Sequence, residues 1–509
     1  MTLRVLMQTP SRQTPRSFVP VSRRRLGVPA AALALLLTGG PTLVAQEAAA
    51  EAPAAEAPVA RAPAAGQGTA NQGAVGRITE ERVRATLGWL AHDDRAGRDT
   101  GSAELEQSAD WLADRFAKAG LSQLRAGSWA HEFGMPGLRI DSDAVQLKLV
   151  RRVGGEEKKF ELKAGEDVRQ WLPADGEGGS EVCTVARLED PVTARLLRAR
   201  SARRPIVLLV SDGHPYWQKA KGAHTVISRR RQASRPVLLV RESLLPAAVP
   251  GQEVEWTADW QVAPPEKTEL MQRNVMAVWP ASKDSPHKDE YVVISAHYDH
   301  VGTGRPVDGD GIYNGADDNA TGTTAVVLLA EAMARAGKAL PRNVLFVCFA
   351  AEERGLRGSR AFCERPPLSM DKVVANVNIE MIGRPELGNE GKAWITGNEY
   401  SDFADICAEA LGRTGIELVE FKMSQRLFGA SDNFSFVQQG VVAHSLSAGS
   451  LHPDYHQPGD EIDKVNFAHM TKIIRGLLDV AVEFASRDAR PEWNERGEKA
   501  LESLKKRRR

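Results

Sequence analysis

The sequence predicts an α/β protein built on a mixed, largely parallel central sheet flanked by helices, with a β-rich module inserted into it. Three observations carry this expectation. Apolar strand-like runs alternate with helical patterns through the second half of the 509 residues, the arrangement that puts helices on both faces of a sheet. Between about His131 and Pro265 the alternation gives way to short strand-like runs separated by Pro, Gly and charged clusters, as expected of a separate β-rich unit. The length and a hydrophobic fraction of 42% suffice for one large domain and a smaller module.

Taken in order, the chain begins with a basic segment, Ser22 to Gly27 ("SRRRLG"), an apolar run from Val28 to Leu37 and then small residues. A positive region, a short apolar run and small residues describe an export signal, assigned to residues 1–45 with cleavage after Ala45. The Arg pair also resembles a twin-arginine signal, and the run is short for a membrane span. Residues 46–76, rich in Ala, Pro and Glu, lack apolar periodicity and read as a disordered linker.

From Ile78 the pattern is helical. "AELEQSADWLADRFAKAGL" sets Leu105, Ala109, Leu112 and Phe116 on one face, with Gly120 placed to stop the helix, and "RAGRDTGS" before it reads as a turn-rich lead-in. In the module, 131–265, the strand-like runs are "VQLKLVRRV", "PIVLLVSDG", "PVLLVRESL" and "EVEWTADWQV". The catalytic domain is assigned to 77–130 and 266–488. Its second part holds strands at "YVVISA", "NVLFVCFA", "VVANVNIEMI" and "VVAHSLS", with helices at "TGTTAVVLLAEAMARAG", "SDFADICAEALGRTG" and Met470 to Ala485. Residues 489–509 form a charged tail.

Sixty-six basic and 66 acidic residues cancel, so no overall field recruits nucleic acid or an anionic membrane. Cys183, Cys348, Cys363 and Cys407 are too scattered for a disulfide framework, although an exported protein leaves room for a Cys363 to Cys407 bridge.

Sites in such sheets form outside the carboxyl ends of strands, and there the sequence concentrates polar chemistry. "YVVISA" is followed by His297, Asp299 and His300, and "FVCFAA" by Glu352 and Glu353. "VVANVNI" is followed by Glu380, and "VVAHSLS" by a loop with His452 and His456; Asp317 and Asp318 precede a helix. Singly these are strand-end histidines, a helix cap and a solvated turn. Together, His and carboxylate groups without cysteine suit zinc or a similar divalent ion, and one carboxylate has two oxygens with which to bridge two ions.

"AHYDHVG", "NGADDNATG", "FAAEERGLRGS", "NIEMIG" and "HPDYHQPGDE", in this order, resemble the di-zinc aminopeptidases of metallopeptidase family twenty-eight, which include secreted bacterial leucine-preferring enzymes. The resemblance covers roughly Ile78 to Leu121 and Asn274 to Ala485, and the module sits where many relatives carry a protease-associated domain, which its sequence matches poorly. It implies two zinc ions, one held by His297, Asp317 and Glu380, the other by Asp317, Glu353 and His456, with Asp317 as the bridge. Glu352 is then the general base and Asp299 orients the His297 ring. A cis peptide is implied at Asp317–Asp318. Glu380 stands where Asp is commoner, Asp432 in "GASDNFSF" matches a Ser-Asp motif, and His300 and His452 line or brace the site. The implied function is hydrolysis of N-terminal residues from peptides, with peptide partners, no nucleic acid and no stable membrane span after signal cleavage. The oligomeric state is not readable. A glutaminyl cyclase-like zinc acyltransferase and a non-catalytic binding protein on a peptidase scaffold are the alternatives.

Overall fold

The computed structural model describes residues 73–174, 177–188, 204–228, 235–246, 253–337 and 339–508. The expected export signal and linker residues 46–72 lie outside them. A nine-stranded sheet forms the centre, in the order Glu417–Leu418, Lys392–Ile395, Val442–Ser447, Val373–Glu380, Tyr291–His297, Asn343–Phe349, Glu266–Trp279, Ala130–Asp141 and Ala223–Ile227. Its middle is parallel: Tyr291–His297 pairs in parallel with Asn343–Phe349 and Val373–Glu380, and the latter with Val442–Ser447. The flank from Asn343–Phe349 to Ala223–Ile227 is antiparallel. The sheet is therefore mixed: its centre and its Lys392–Ile395/Glu417–Leu418 edge pair are parallel, and its other pairs are antiparallel.

Alternation along the central strands decides which residues face which helices. Val292, Ile294 and Ala296 join the larger buried cluster with the helices Glu80–Leu90, Ala103–Ala119, Gly322–Ala336 and Phe467–Ser486. Val293, Leu345, Val347 and Phe349 face the other way, into a cluster with Phe362, Phe436, Leu501 and Leu504. Both faces are covered, which is why these strands read as continuous apolar runs. The Ala103–Ala119 helix buries Leu105, Ala109, Leu112 and Phe116, is capped by Ser102, and ends at Gly120 with φ 82°, where a left-handed residue closes the last turn. The tail helix Glu495–Arg508 docks through Leu501 and Leu504 and is not wholly solvated.

All four strand-like runs of the module are strands. They belong to two four-stranded sheets, one ordered Glu156–Leu162, Val145–Val153, Glu255–Val262, Gly178–Val182, the other Val168–Leu172, Val237–Arg241, Ile206–Val210, Thr184–Arg187. Leu147, Leu149 and Trp260 of one pack with Val207, Leu238 and Val240 of the other in a buried cluster separate from the main core. Ala130–Asp141 and Ala223–Ile227 are hydrogen-bonded into the main sheet, so the module is joined to it by paired strands as well as by its chain ends. All four cysteines are buried and none is joined in a disulfide, so Cys363 and Cys407 are not bridged.

Candidate metal centre

The parallel strands end on one side, and His297 and Glu380 are the last residues of theirs. His297 is buried, and its Nδ1–H donates to the Asp299 carbonyl oxygen at 3.0 Å. That bond fixes the tautomer and leaves the Nε2 lone pair free. Nε2 lies 3.3 Å from Asp318 Oδ1 and 3.5 Å from Glu380 Oε2. Glu380 Oε1 accepts from Asn378 Nδ2 at 3.1 Å and from Ser431 Oγ, which anchors the longer side chain and turns Oε2 toward the histidine.

A second group lies beside the first. His456 Nε2 is 3.0 Å from Asp318 Oδ2 and 3.1 Å from Glu353 Oε1. His456 adopts φ 54° and its ring stacks on Tyr455 at 4.0 Å; a left-handed non-glycine residue is held only where its surroundings overrule the local cost. His300 Nδ1 stands 3.0 Å from Glu353 Oε1 and 3.8 Å from Asp318 Oδ2. Two sets of potential metal ligands result, His297, Asp318 and Glu380, and His300, Asp318, Glu353 and His456, with Asp318 common to both.

Asp317 is in neither set, and here the sequence expectation differs from the structure. Its Oδ1 accepts from the Gly383 amide at 2.7 Å, and its Oδ2 lies 3.4 Å from His452 Nε2. The carboxylate thus points to the side opposite Asp318, as adjacent residues of an irregular segment do when their backbone turns between them. Gly315 enters that segment with φ 55° and Asp318 has φ −103° and ψ 98°. The cis peptide lies at Asp318–Asn319, one residue beyond the expected junction. Asp460, fully buried, receives the amides of Asp317 and Asp318 at 3.0–3.1 Å and fixes the turn. His452 stays on the Asp317 side.

The paired glutamates diverge because the chain leaves Asn343–Phe349 through Ala351 at φ 58°. The Glu352 amide donates to Asp299 Oδ1 at 3.0 Å, and Thr100 Oγ1 donates to Asp299 Oδ2 at 3.0 Å. The Asp299 carboxylate therefore positions the glutamate turn, standing 3.8 Å from His297 Nδ1, and it is the Asp299 carbonyl that orients the imidazole. Glu352 belongs to neither ligand set. Burial raises its carboxyl well above the usual range; His297 opposes the shift, and Glu353, Asp432 and Glu380 add to it. Asp432, fully buried nearby, is pushed up to about 7, by burial first. So many carboxylates in one buried place call for positive charge.

The donor set fits such charge. His300 Nδ1, Asp318 Oδ2, Glu353 Oε1 and His456 Nε2 are buried and approach one another closely, and among the described residues no backbone amide, hydroxyl or amide side chain reaches them. Imidazole nitrogens and carboxylate oxygens converging in this way are the donors that a divalent ion takes.

Sequence reasoning missed Arg98 and Thr100, which lie in the stretch read only as turns. Arg98 is fully buried and donates to four carbonyl oxygens: Tyr298 (2.9 Å), Leu90 (2.6 Å), Asn314 (2.8 Å) and Gly315 (3.0 Å). It ties the loop after His297 to the loop before Asp318. The only signal was an arginine inside a glycine-rich turn.

Residues 274–481 match the model of peptidase family M28, a span that holds every member of both ligand sets. A "Probable leucine aminopeptidase" of Arthroderma otae is 24% identical over 306 residues, 58% of this chain and 75% of that protein. "Aminopeptidase YwaD" of Bacillus subtilis is 27% identical over 197 residues, 36% of this chain and 38% of its own length. Another "Probable leucine aminopeptidase", of Trichophyton verrucosum, is matched over 55% of its length. Among solved structures, BSAP, a zinc aminopeptidase from Bacillus subtilis, superposes with a TM-score of 0.51 at 17% identity, covering 81% of this chain and 97% of that one, and so shares the fold. With its strand-end motifs and its central sheet both accounted for, residues 274–481 of this chain are similar to peptidase family M28.

Proposed function

We propose that this protein is a metal-dependent aminopeptidase that removes N-terminal residues from peptides at a site for two zinc ions. The observation that carries the reading is Asp318, whose two oxygens face two different ligand sets, 3.3 Å from His297 on one side and 3.0 Å from His456 on the other. In this reading His297, Asp318 and Glu380 hold one ion, and Asp318, Glu353 and His456 hold the other. Asp317 braces the site from behind through Gly383.

When bound, the ions supply a water acidic enough to ionise near neutral pH and a polarised scissile carbonyl. The chain's own residues do the rest. Glu352 accepts the proton from the attacking water and returns it to the leaving amine. Asp299 holds the Glu352 amide in place, and Arg98 keeps the two ligand loops in register. The relatives' names support aminopeptidase action. Complete ligand sets speak against a degenerate binding scaffold, and a second complete set speaks against a single-zinc acyltransferase.

Export is proposed from the basic, apolar and small-residue order of residues 22–45; among the described residues no helix is long and apolar enough to cross a membrane. The module is proposed to border the mouth of the site, because its Lys219 Nζ donates to Asp99 Oδ2 at 3.2 Å and Asp99 pairs with Arg354, next to Glu353. Metal content per chain, measured beside activity on a panel of aminoacyl arylamides, tests the function. Two zinc ions with cleavage of free but not N-blocked substrates are expected; a chain that binds no zinc, or cleaves none of the panel, would refute it.

A further inference from the structure

Resting on the metal-dependent reading above, we infer that His300 is a fourth protein ligand to one of the two ions, so that the two positions are unlike: one closed by protein, the other left open for water and substrate. The sequence gives His300 only a bracing part. Its surroundings give it more.

The backbone of His300 is fixed by the hydrogen bond that its amide donates to the Arg98 carbonyl oxygen at 3.1 Å. Its ring is fully buried, and it packs on Gly315 so closely that a β-carbon there would lie 2.4–2.5 Å from ring carbons. The ring is confined to face Glu353. Four atoms then surround one point: His300 Nδ1, Asp318 Oδ2, Glu353 Oε1 and His456 Nε2. Their separations are 3.0 Å (His300 to Glu353), 3.8 Å (His300 to Asp318), 3.0 Å (His456 to Asp318) and 3.1 Å (His456 to Glu353). A tetrahedral zinc shell with bonds of about 2.1 Å has edges of about 3.4 Å, and the four separations bracket that value.

All four atoms of this set are buried and face one another, and no backbone amide, hydroxyl or amide side chain reaches them. In the other set, His297 Nε2, Asp318 Oδ1 and Glu380 Oε2 provide three atoms, with Glu352 alongside but outside it. Four protein ligands make a closed position and three leave one open. The closed position takes zinc first and releases it last.

Anomalous diffraction from crystals of the zinc-loaded full chain tests the assignment. A zinc bonded to His300 Nδ1 at about 2.1 Å, together with His456, Glu353 and Asp318, is expected; two zinc ions with His300 bonded to neither would overturn it, while the absence of zinc would instead defeat the metal-dependent reading. In solution, chelator competition on His300→Ala is expected to weaken the tighter zinc by more than the about 10–100-fold that loss of an outer partner costs and to leave the weaker one nearly unchanged. The cobalt-substituted variant should also lose the strong visible absorption of a four-coordinate site. An unchanged cobalt spectrum, or a loss of about 100-fold or less, would contradict the assignment.

Discussion

Adjacent aspartates with opposite duties make a stringent test, since Asp317→Ala and Asp318→Ala are the same chemical change one residue apart. Asp317 is fully buried and accepts a charge-assisted bond from the Gly383 amide at 2.7 Å. Its removal leaves that donor unpaired and costs about 2–3 kcal/mol of unfolding stability whether or not zinc is present. Asp318 faces His297 and His456, which hold its carboxyl well below the usual range against repulsion from Glu353, so its loss is destabilising in the zinc-free protein as well. Zinc separates the two variants. An ion present at 100 times its Kd stabilises the wild type by about 2.7 kcal/mol; a 100-fold weaker site gives only about 0.4 kcal/mol. Asp318→Ala forfeits that difference at both positions. Urea unfolding with and without zinc, and metal content after dialysis, separate the two variants. If Asp317→Ala empties both positions while Asp318→Ala keeps them, the bridge assignment is wrong.

Other consequences are equally direct. Arg98→Lys keeps the charge but replaces three separate donor nitrogens with one, so at least one buried carbonyl loses its partner; a loss of about 1–3 kcal/mol or more is expected in urea unfolding, and a change within about 0.5 kcal/mol would show that Arg98 is not the clamp. His444 is fully buried between the Thr396 carbonyl and Ser401 Oγ, both at 2.7 Å, and burial lowers its pKa from 6.5 to about 4. The neutral ring is favoured in the fold, so its contribution is complete above pH 6.5 and is lost as pH falls toward 4. By pH 4.5 that amounts to about 2–3 kcal/mol, and the wild type should lose that much more than His444→Gln between pH 7 and 4.5; parallel losses would refute it. Lys219→Met removes a half-exposed pair, a change of at most about fivefold; it should raise KM for longer peptides and leave an aminoacyl arylamide unaffected, and an equal effect on both would remove the module from the mouth of the site.

Much of this arrangement was legible in the sequence because it depends on period and position. The helix ending at Gly120, the four module strands and the four strand-end motifs all follow from apolar spacing and the residues that interrupt it. What was not legible depends on backbone direction and long reach. Two neighbouring aspartates before a helix look alike until the φ and ψ of Gly315 and Asp318 send one carboxylate to Gly383 and the other between two histidines. Arg98 sits in a stretch whose composition announces turns, and Ala96 and Arg98 do adopt φ 41° and 49°; no local pattern announces that the same arginine reaches carbonyls about 200 residues away. Nor does spacing distinguish a side chain that orients a ring from one that orients a turn, which is how Asp299 came to hold Glu352.

The central claim is that Glu352 stands outside the metal ligands and moves the proton. Zinc content and single-turnover hydrolysis of an aminoacyl arylamide by Glu352→Gln, measured on the same sample, test it most directly. Gln keeps the shape but cannot accept the proton, so two zinc ions per chain and a rate lowered by about 10²–10⁴-fold are expected. A variant that turns over at close to the wild-type rate, or that has lost its zinc, would contradict the account.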